Sequence, residues 1–479
     1  MHQPALTRRE LLCGLACGAG ILSGCRRAAN ASTPADAARL TAPDVVLKIA
    51  PLQFEVAPGH TVTTVAYNGS VPGPLVRFRE GVAATVEIYN QTDTPEYVHW
   101  HGFEIPAELD GAEEEHSLVV PAHGSLRYRL TPLPSGSRFV HTHAMAMSDL
   151  NRGVFTGQYA FAFIEPRSNP ARYDQEVFLS THEWNPYLTS RETEDEDDAS
   201  HSAGHKAAGE KNHGWEVAYR TYTVNGRCLG HSDPIRVKEG QRVLFHFLNA
   251  SATESVKFAL PGHRFQVVAL DGNPVPNPQL VDVLHLGTAE RIDAVVTMDT
   301  PGVYVLGSPN DKARERGMGI VVEYANGGGE PRWSKPPESK WDYTVFGKAR
   351  RAPVKPDAIV PLVFTEAARS ALGFDRWNIN GKIYDPAIPP TRLAKGKRTR
   401  LVFDNRTDDA HPLHLHRNSF ELVSVNGTPT AGIVKDVVEV KSRQKVEVDV
   451  APRQEGLTLF HCHQQLHMDY GFKLLFDVA

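Results

Sequence analysis

One pattern recurs three times in this chain and constrains the fold more than any other feature. Asn68-Gly69 leads to Arg77, Glu80-Gly81 and Asn90-Gln91-Thr92. Asn225-Gly226 leads to Arg236, Glu239-Gly240 and Asn249-Ala250-Ser251. Asn380-Gly381 leads to Arg392, Lys395-Gly396 and Asn405-Arg406-Thr407. The step from the later Gly to the following Asn is 9 residues in every copy, and the copies lie 159 and 156 residues apart. That period is far too long for a solenoid unit, so each copy marks a domain. At roughly 150 residues per domain, 479 residues make three. Between Gly and Asn the chain reads as a strand: Val82–Tyr89, Arg242–Leu248 and Arg398–Phe403. Short β runs punctuated by scattered Gly and Pro indicate an all-β chain of three β-sandwiches. The Asn90, Asn249 and Asn405 triplets fit a glycosylation acceptor. Their equivalent placement reads instead as a turn at a strand end.

Boundaries follow from the repeat. The first sandwich is expected over 44–166 and the second over 172–325. A connector rich in Gly, Pro and Trp covers 326–340, and the third sandwich occupies 341–479. Residues 1–25 read as an export signal. Thr7-Arg8-Arg9-Glu10-Leu11-Leu12 resembles a twin-arginine motif, and the apolar run Leu11–Gly24 is short for a bilayer span. Leu22-Ser23-Gly24-Cys25 resembles a bacterial lipobox, in which Cys25 is lipidated and becomes the first mature residue. A periplasmic or envelope location is therefore expected, with 26–43 as a flexible linker. The segment 191–213 fits no sandwich. It carries six acids between Glu192 and Asp198, followed by His201, His205 and His213, and reads as a solvated insertion. A metal-collecting loop is the alternative. The net charge of −5 gives no basic surface for nucleic acid. Five Cys are too few for a disulfide scaffold, whereas 22 His draw attention.

Counted from the repeat Asn, the histidines fall on a frame. Asn90 plus 9 and 11 gives His99 and His101; Asn405 plus 9 and 11 gives His414 and His416. The same offsets in the second domain give Phe258 and Leu260. A second pair, His141 and His143, has its counterpart in His461 and His463, while the second domain has Tyr304-Val305-Leu306-Gly307. Residues i and i+2 of a strand share a face, so each His-x-His presents two imidazoles together. Four pairs on two related domains can converge at one interface. Imidazole suits several metals. Cys462, between His461 and His463, points to the opposite face, where it can meet His411 and His467. Two His and one thiolate form the blue-copper ligand set, whereas zinc favours a closed tetrahedral or an open catalytic site.

With these motifs the chain resembles the multicopper oxidases, the family of laccases, ascorbate oxidase and bacterial copper-resistance oxidases. The resemblance spans essentially the whole mature chain and implies three cupredoxin-like Greek-key sandwiches holding four copper ions. It implies that His411, Cys462 and His467 hold a type 1 copper and that His99 and His414 hold a type 2 copper. His101, His141, His143, His416, His461 and His463 would hold the type 3 pair. Phe472 stands where relatives often place an axial Met; it cannot coordinate, and a raised potential is expected. Asp110 matches an acid beside the type 2 copper and is expected to bind water there and relay a proton. Two further acidic positions of relatives are Gln465 and Met468 here, which leaves Asp469 and Glu113-Glu114-Glu115 as acids without an assigned place.

The implied partners are dioxygen and a small phenolic or aromatic reductant, with cuprous or ferrous ion as the alternative. One chain holds both halves of the cluster, so a monomer is sufficient. Competing readings are a non-catalytic copper-binding protein on the same scaffold, a two-centre nitrite reductase, and a copper store using the insertion. Cys228 has no mature partner except Cys462 and is expected as a free thiol.

Overall fold

The computed structural model describes residues 42–168, 172–190, 214–349 and 354–479. The signal with Cys25, most of the linker and the insertion 191–213 lie outside these residues. The three Asn-Gly pairs are the turns that the repeat implies. Asn68, Asn225 and Asn380 take φ of 54°, 50° and 53°, and the Gly after each is also left-handed. Each Asn side chain stitches its turn to an incoming strand. Its amide donates at 2.9 Å to Val46 O, Phe178 O or Pro361 O. Its oxygen accepts from the backbone N–H of Lys48, Ser180 or Val363.

The second Asn of each repeat does a different job, also identically three times. Asn90, Asn249 and Asn405 are buried at strand ends. Each donates to a carbonyl four or five residues ahead, at Thr94, Glu254 and Asp409, and accepts from the N–H two residues on, at Thr92, Ser251 and Thr407. The triplet is thus a buried turn staple, and its amide is committed to the backbone.

In each domain the opening strand pairs parallel with the strand that ends in this Asn: Val45–Ala57 with Ala84–Asn90, Gln175–Ser190 with Arg242–Asn249, and Ala358–Ala367 with Thr399–Asn405. The first sandwich closes with a four-stranded sheet in the order Val76–Arg79, Tyr159–Glu165, Gly136–Thr142, Val98–His101. The third has a five-stranded counterpart: Thr391–Leu393, Lys473–Val478, Gly456–Cys462, His411–Leu415, Val437–Val440. Strands with one packed face alternate, as in Val76–Arg79 and Thr399–Asn405. Val98–His101 and His411–Leu415 are buried on both faces, because a domain interface covers their outer side. The segment 326–349 is irregular apart from the 3-10 turn Tyr343–Phe346, and the first strand of the third sandwich starts at Ala358. Among the described residues no helix is long and apolar enough to cross a membrane.

Candidate metal centres

Strand pairing brings the histidines together. In the first sandwich His99 lies directly across from His141; in the third, His414 lies across from His461. The two domains then meet with their first pairs in opposite senses. His99 stacks on His416 with ring centres 4.0 Å apart, and His101 stacks on His414 at 3.8 Å. His463 closes on His101 and His141 at 5.1 and 5.2 Å, and His143 on His416 and His461 at 4.9 and 5.4 Å. All eight imidazoles form one buried cluster.

The hydrogen bonds of the cluster are one-sided. His99 is held through Nδ1 by Asp110 O, His141 by Thr142 O, His414 by Asp436 O, His461 by Cys462 O and His416 by Asp110 Oδ2, all at 2.7–2.8 Å. The opposite nitrogens of His99, His141 and His414 are buried without a partner, as are His143 Nε2 and both nitrogens of His463. His416 Nε2 and His461 Nε2 face each other at 3.0 Å. Bare buried nitrogens are costly unless a cation satisfies them. Burial, and then neighbouring imidazoles, holds His101, His141, His143, His414, His416 and His463 well below their ordinary pKa. Burial also pushes His461 down to about 3. These rings are neutral, which is the form that ligates a metal. The anchored far nitrogens supply the outer hydrogen bonds that orient metal-ligating histidines.

On the other face of Gly456–Cys462 lies a second set. Cys462 Sγ is 3.7 Å from His411 Nδ1 and 3.4 Å from His467 Nδ1, and the two nitrogens are 3.2 Å apart. Burial raises the Cys462 thiol far above its ordinary pKa, so only a bound cation would hold it as thiolate. Leu413 stands opposite Cys462 in the ladder, which places the start of the His411–Leu415 strand beside this site. His467 comes from the helix Gln465–Asp469. Phe472 is fully buried, with its ring centre 4.7 Å from that of His411. Its backbone ties the site together, because Cys462 N donates to Phe472 O and Phe472 N donates to His467 O. Trp377 lies over His467 at 3.7 Å.

The acids take separate places around the cluster. Asp110 faces imidazole directly: one oxygen takes His416 Nδ1 and sits 3.3 Å from His99 Nδ1, while the other is buried without a partner. Glu115, one of three consecutive acids, turns inward beside it and accepts from Leu459 N at 2.7 Å. Burial and the Asp110 charge push its carboxyl well up. Asp469 accepts from Ala146 N, Met147 N and Gln465 Nε2, and burial raises it to about 6. Sequence reasoning missed Asp436, whose carbonyl holds His414 and whose Oδ1 lies 3.2 Å from His101 Nε2. Its partners are 22 and 335 residues away, so no local motif announces it. Cys228 is buried and free.

Three cupredoxin-like sandwiches enclosing a trio of two imidazoles and one thiol, beside an eight-imidazole cluster, define a multidomain copper protein. Sequence profiles for multicopper oxidase domains match residues 48–169, 176–323 and 354–479. The chain belongs to the multicopper oxidase family, and copper is its metal. It is 28% identical over 495 residues to the multicopper oxidase MmcO of Mycobacterium tuberculosis, covering 96% of this chain and 95% of that one. Copper resistance protein A of Pseudomonas syringae pv. tomato is 26% identical over 324 residues, covering 60% of this chain and 52% of that one. Among solved structures, Fet3p, a multicopper oxidase that functions in iron import, superposes with TM-score 0.73 at 16% identity, over 91% of this chain and 90% of its own. The Botrytis aclada laccase superposes with TM-score 0.69 at 18% identity, over 90% and 87%.

Proposed function

We propose that this chain oxidises a phenolic or aromatic reductant one electron at a time and reduces dioxygen to water with the four electrons collected. The observation that carries the reading is the strand ending His461-Cys462-His463. Its two imidazoles belong to the cluster while the thiol between them belongs to the other site. Copper supplies the electron acceptance at His411, Cys462 and His467 and the dioxygen reduction among the eight imidazoles, as one type 1, one type 2 and two type 3 ions.

The chain's own residues have separable tasks. His467 is 6% exposed whereas His411 and Cys462 are wholly buried, so the reductant meets the site at His467. The backbone of Cys462 joins its side chain to its neighbours through covalent bonds alone, which fixes the electron path. Phe472 offers no donor atom and excludes water from the trio, which favours a high potential. Asp110 orients His416 and His99, and its unpartnered oxygen can accept a proton at the cluster edge.

The second reading is a metallo-oxidase acting on cuprous or ferrous ion, favoured by the resemblance to copper resistance protein A. Export by the twin-arginine route, with a lipid anchor at Cys25, accompanies either reading and rests on Thr7–Leu12 and Leu22–Cys25. Oxygen uptake by the copper-loaded chain, with a phenol and then with cuprous ion, tests both beside Cys462→Ser. Uptake lost in Cys462→Ser is expected, and the faster reductant identifies the substrate class. No uptake at full copper occupancy would leave a copper-binding protein on an oxidase scaffold.

A further inference from the structure

Five cluster imidazoles are anchored through Nδ1 and one is inverted. His99, His141, His414, His416 and His461 each give Nδ1 to an acceptor behind the cluster. His101 instead gives Nε2 to Asp436 Oδ1 at 3.2 Å, and its Nδ1 is buried without a partner. A carboxylate only accepts, so it demands the proton on Nε2 and leaves the Nδ1 lone pair facing the cluster.

The group that fixes Asp436 comes from the second sandwich, which carries no cluster histidine. Arg291 Nη1 donates to Asp436 Oδ1 at 2.7 Å and Nη2 donates to Oδ2 at 2.5 Å, a two-pronged pair between fully buried side chains. Arg291 is locked in turn by Ala289 O at 2.9 Å and Ser137 O at 3.2 Å. The His101-Gly102 step leaves room for the pair. A Cβ on Gly102, at φ +80°, would lie 2.7 Å from Asp436 Oδ2 and 2.9 Å from Arg291 Nη2.

We propose that Arg291 is a positioning residue for the copper cluster: by clamping Asp436 it sets the inverted tautomer of His101. The second sandwich thereby acts on a histidine of the first through an acid of the third. Asp436 serves His414 as well, through its carbonyl, so one residue aligns an imidazole from each metal-binding domain. The proposal rests on the copper-cluster reading above only for its consequence; the tautomer itself is a property of the metal-free chain.

The test uses the full metal-free chain labelled with 15N-histidine. NMR reads each tautomer, and the His101 signal is assigned by its loss in His101→Gln. The unaltered chain is expected to carry the His101 proton on Nε2. In Asp436→Asn, Arg291 takes the amide oxygen, the NH2 turns to His101, and the proton moves to Nδ1. Arg291→Gln is expected to mix the two forms, and Arg291→Lys to restore part of the Nε2–H form. Cluster copper, measured by equilibrium titration, should bind about 10- to 100-fold more weakly in Asp436→Asn and Arg291→Gln. The blue absorption of the Cys462 site should stay unchanged. If Arg291→Gln does not fold, Arg291→Lys and Asp436→Asn carry the same comparison. A proton on Nδ1 in the unaltered chain, or one tautomer throughout the variants, would overturn the proposal. So would a tautomer change that leaves copper affinity intact. Absence of cluster copper in the unaltered chain would sink the oxidase reading instead, and the metal-free tautomers would still decide the role of Arg291.

Discussion

The second sandwich and the third share a frame and differ in what they mount on it. Asn249 and Asn405 make the same buried turn bonds, and both domains pair their opening strands in parallel. Where the third has His414 and His416, the second has Phe258 and Leu260, both in its apolar core. The facing strands differ as well. His414 stands opposite His461 in a continuous ladder, whereas in the second sandwich an isolated bridge joins Ala259 to Gly307. Metal ligation is thus an addition to a scaffold that folds without it. An apolar core tolerates a looser register, while paired imidazoles need strands locked opposite each other.

The comparison breaks most severely where a histidine is answered by a buried charge. His416→Leu copies Leu260 of the second sandwich but strips Asp110 of its closer imidazole partner and leaves only the longer contact to His99. Metal-free stability should fall by about 3–5 kcal/mol, measured by urea unfolding. A loss below 1 kcal/mol, on the order of an exposed pair, would mean that Asp110 is satisfied some other way.

A smaller effect of similar origin is expected at the contact between the first two sandwiches. His246 lies 2.8 Å from Asp293 and 3.2 Å from Glu176. Burial alone would lower its pKa, but the carboxylates on both sides outweigh it and raise His246 to about 9. A raised folded-state value contributes stability that is complete below the unfolded value of about 6.5 and is lost as pH rises through about 9. His246→Gln should therefore cost about 3 kcal/mol at pH 6, and the gap from the unaltered chain should narrow by pH 9. A gap that stays constant across that window refutes the charged state.

His463→Leu sharpens the comparison in the other direction. Neither nitrogen of His463 has a partner, so its removal strands nothing. The metal-free chain should gain about 1–2 kcal/mol while cluster copper is lost. Unchanged copper content would remove His463 from the ligand set. Phe472→Met, a near volume-conserving change, should cost under about 1.5 kcal/mol and lower the potential of the Cys462 site. An unchanged or raised potential in a redox titration would show that Phe472 has no axial role. The least disruptive change is deletion of 191–213. Ser190 and Trp215 are cross-strand partners, so the gap can be closed by a short turn. An oxidase should keep its phenol oxidation, whereas a copper store would lose capacity.

The cluster was legible because its ligands obey a repeat: two fixed offsets from a turn Asn, in strands whose period is two. The three β-sandwiches followed from the same frame, and their cupredoxin-like character from the family resemblance. The outer hydrogen bonds that cross between domains were not legible, because they join segments with no common frame. Asp110 meets His416 across 306 residues, Glu115 meets Leu459 across 344, and Arg291 meets Asp436 across 145. Asp110 was placed beside the cluster by its match to an acidic position of relatives, and its bond to His416 of the third sandwich had no counterpart in that match. Glu113, Glu114 and Glu115 look alike in sequence, and only packing separates them. Glu115 turns into the cluster while Glu114 pairs with Lys473 at 2.5 Å.

The 335-residue gap between His101 and Asp436 also sets a timetable. Synthesis at about 5–20 residues per second puts roughly 20–70 s between the two ends of that one hydrogen bond. For most of that interval, from His143 to His414, the first sandwich holds four of the cluster's eight imidazoles and the other four are not yet made. Copper taken up then would meet four ring nitrogens at an open edge, from which any stronger chelator could remove it. Secure loading waits until His461-Cys462-His463 has been made, so the order in which the ribosome delivers the domains is also the order in which the protein becomes able to keep its metal.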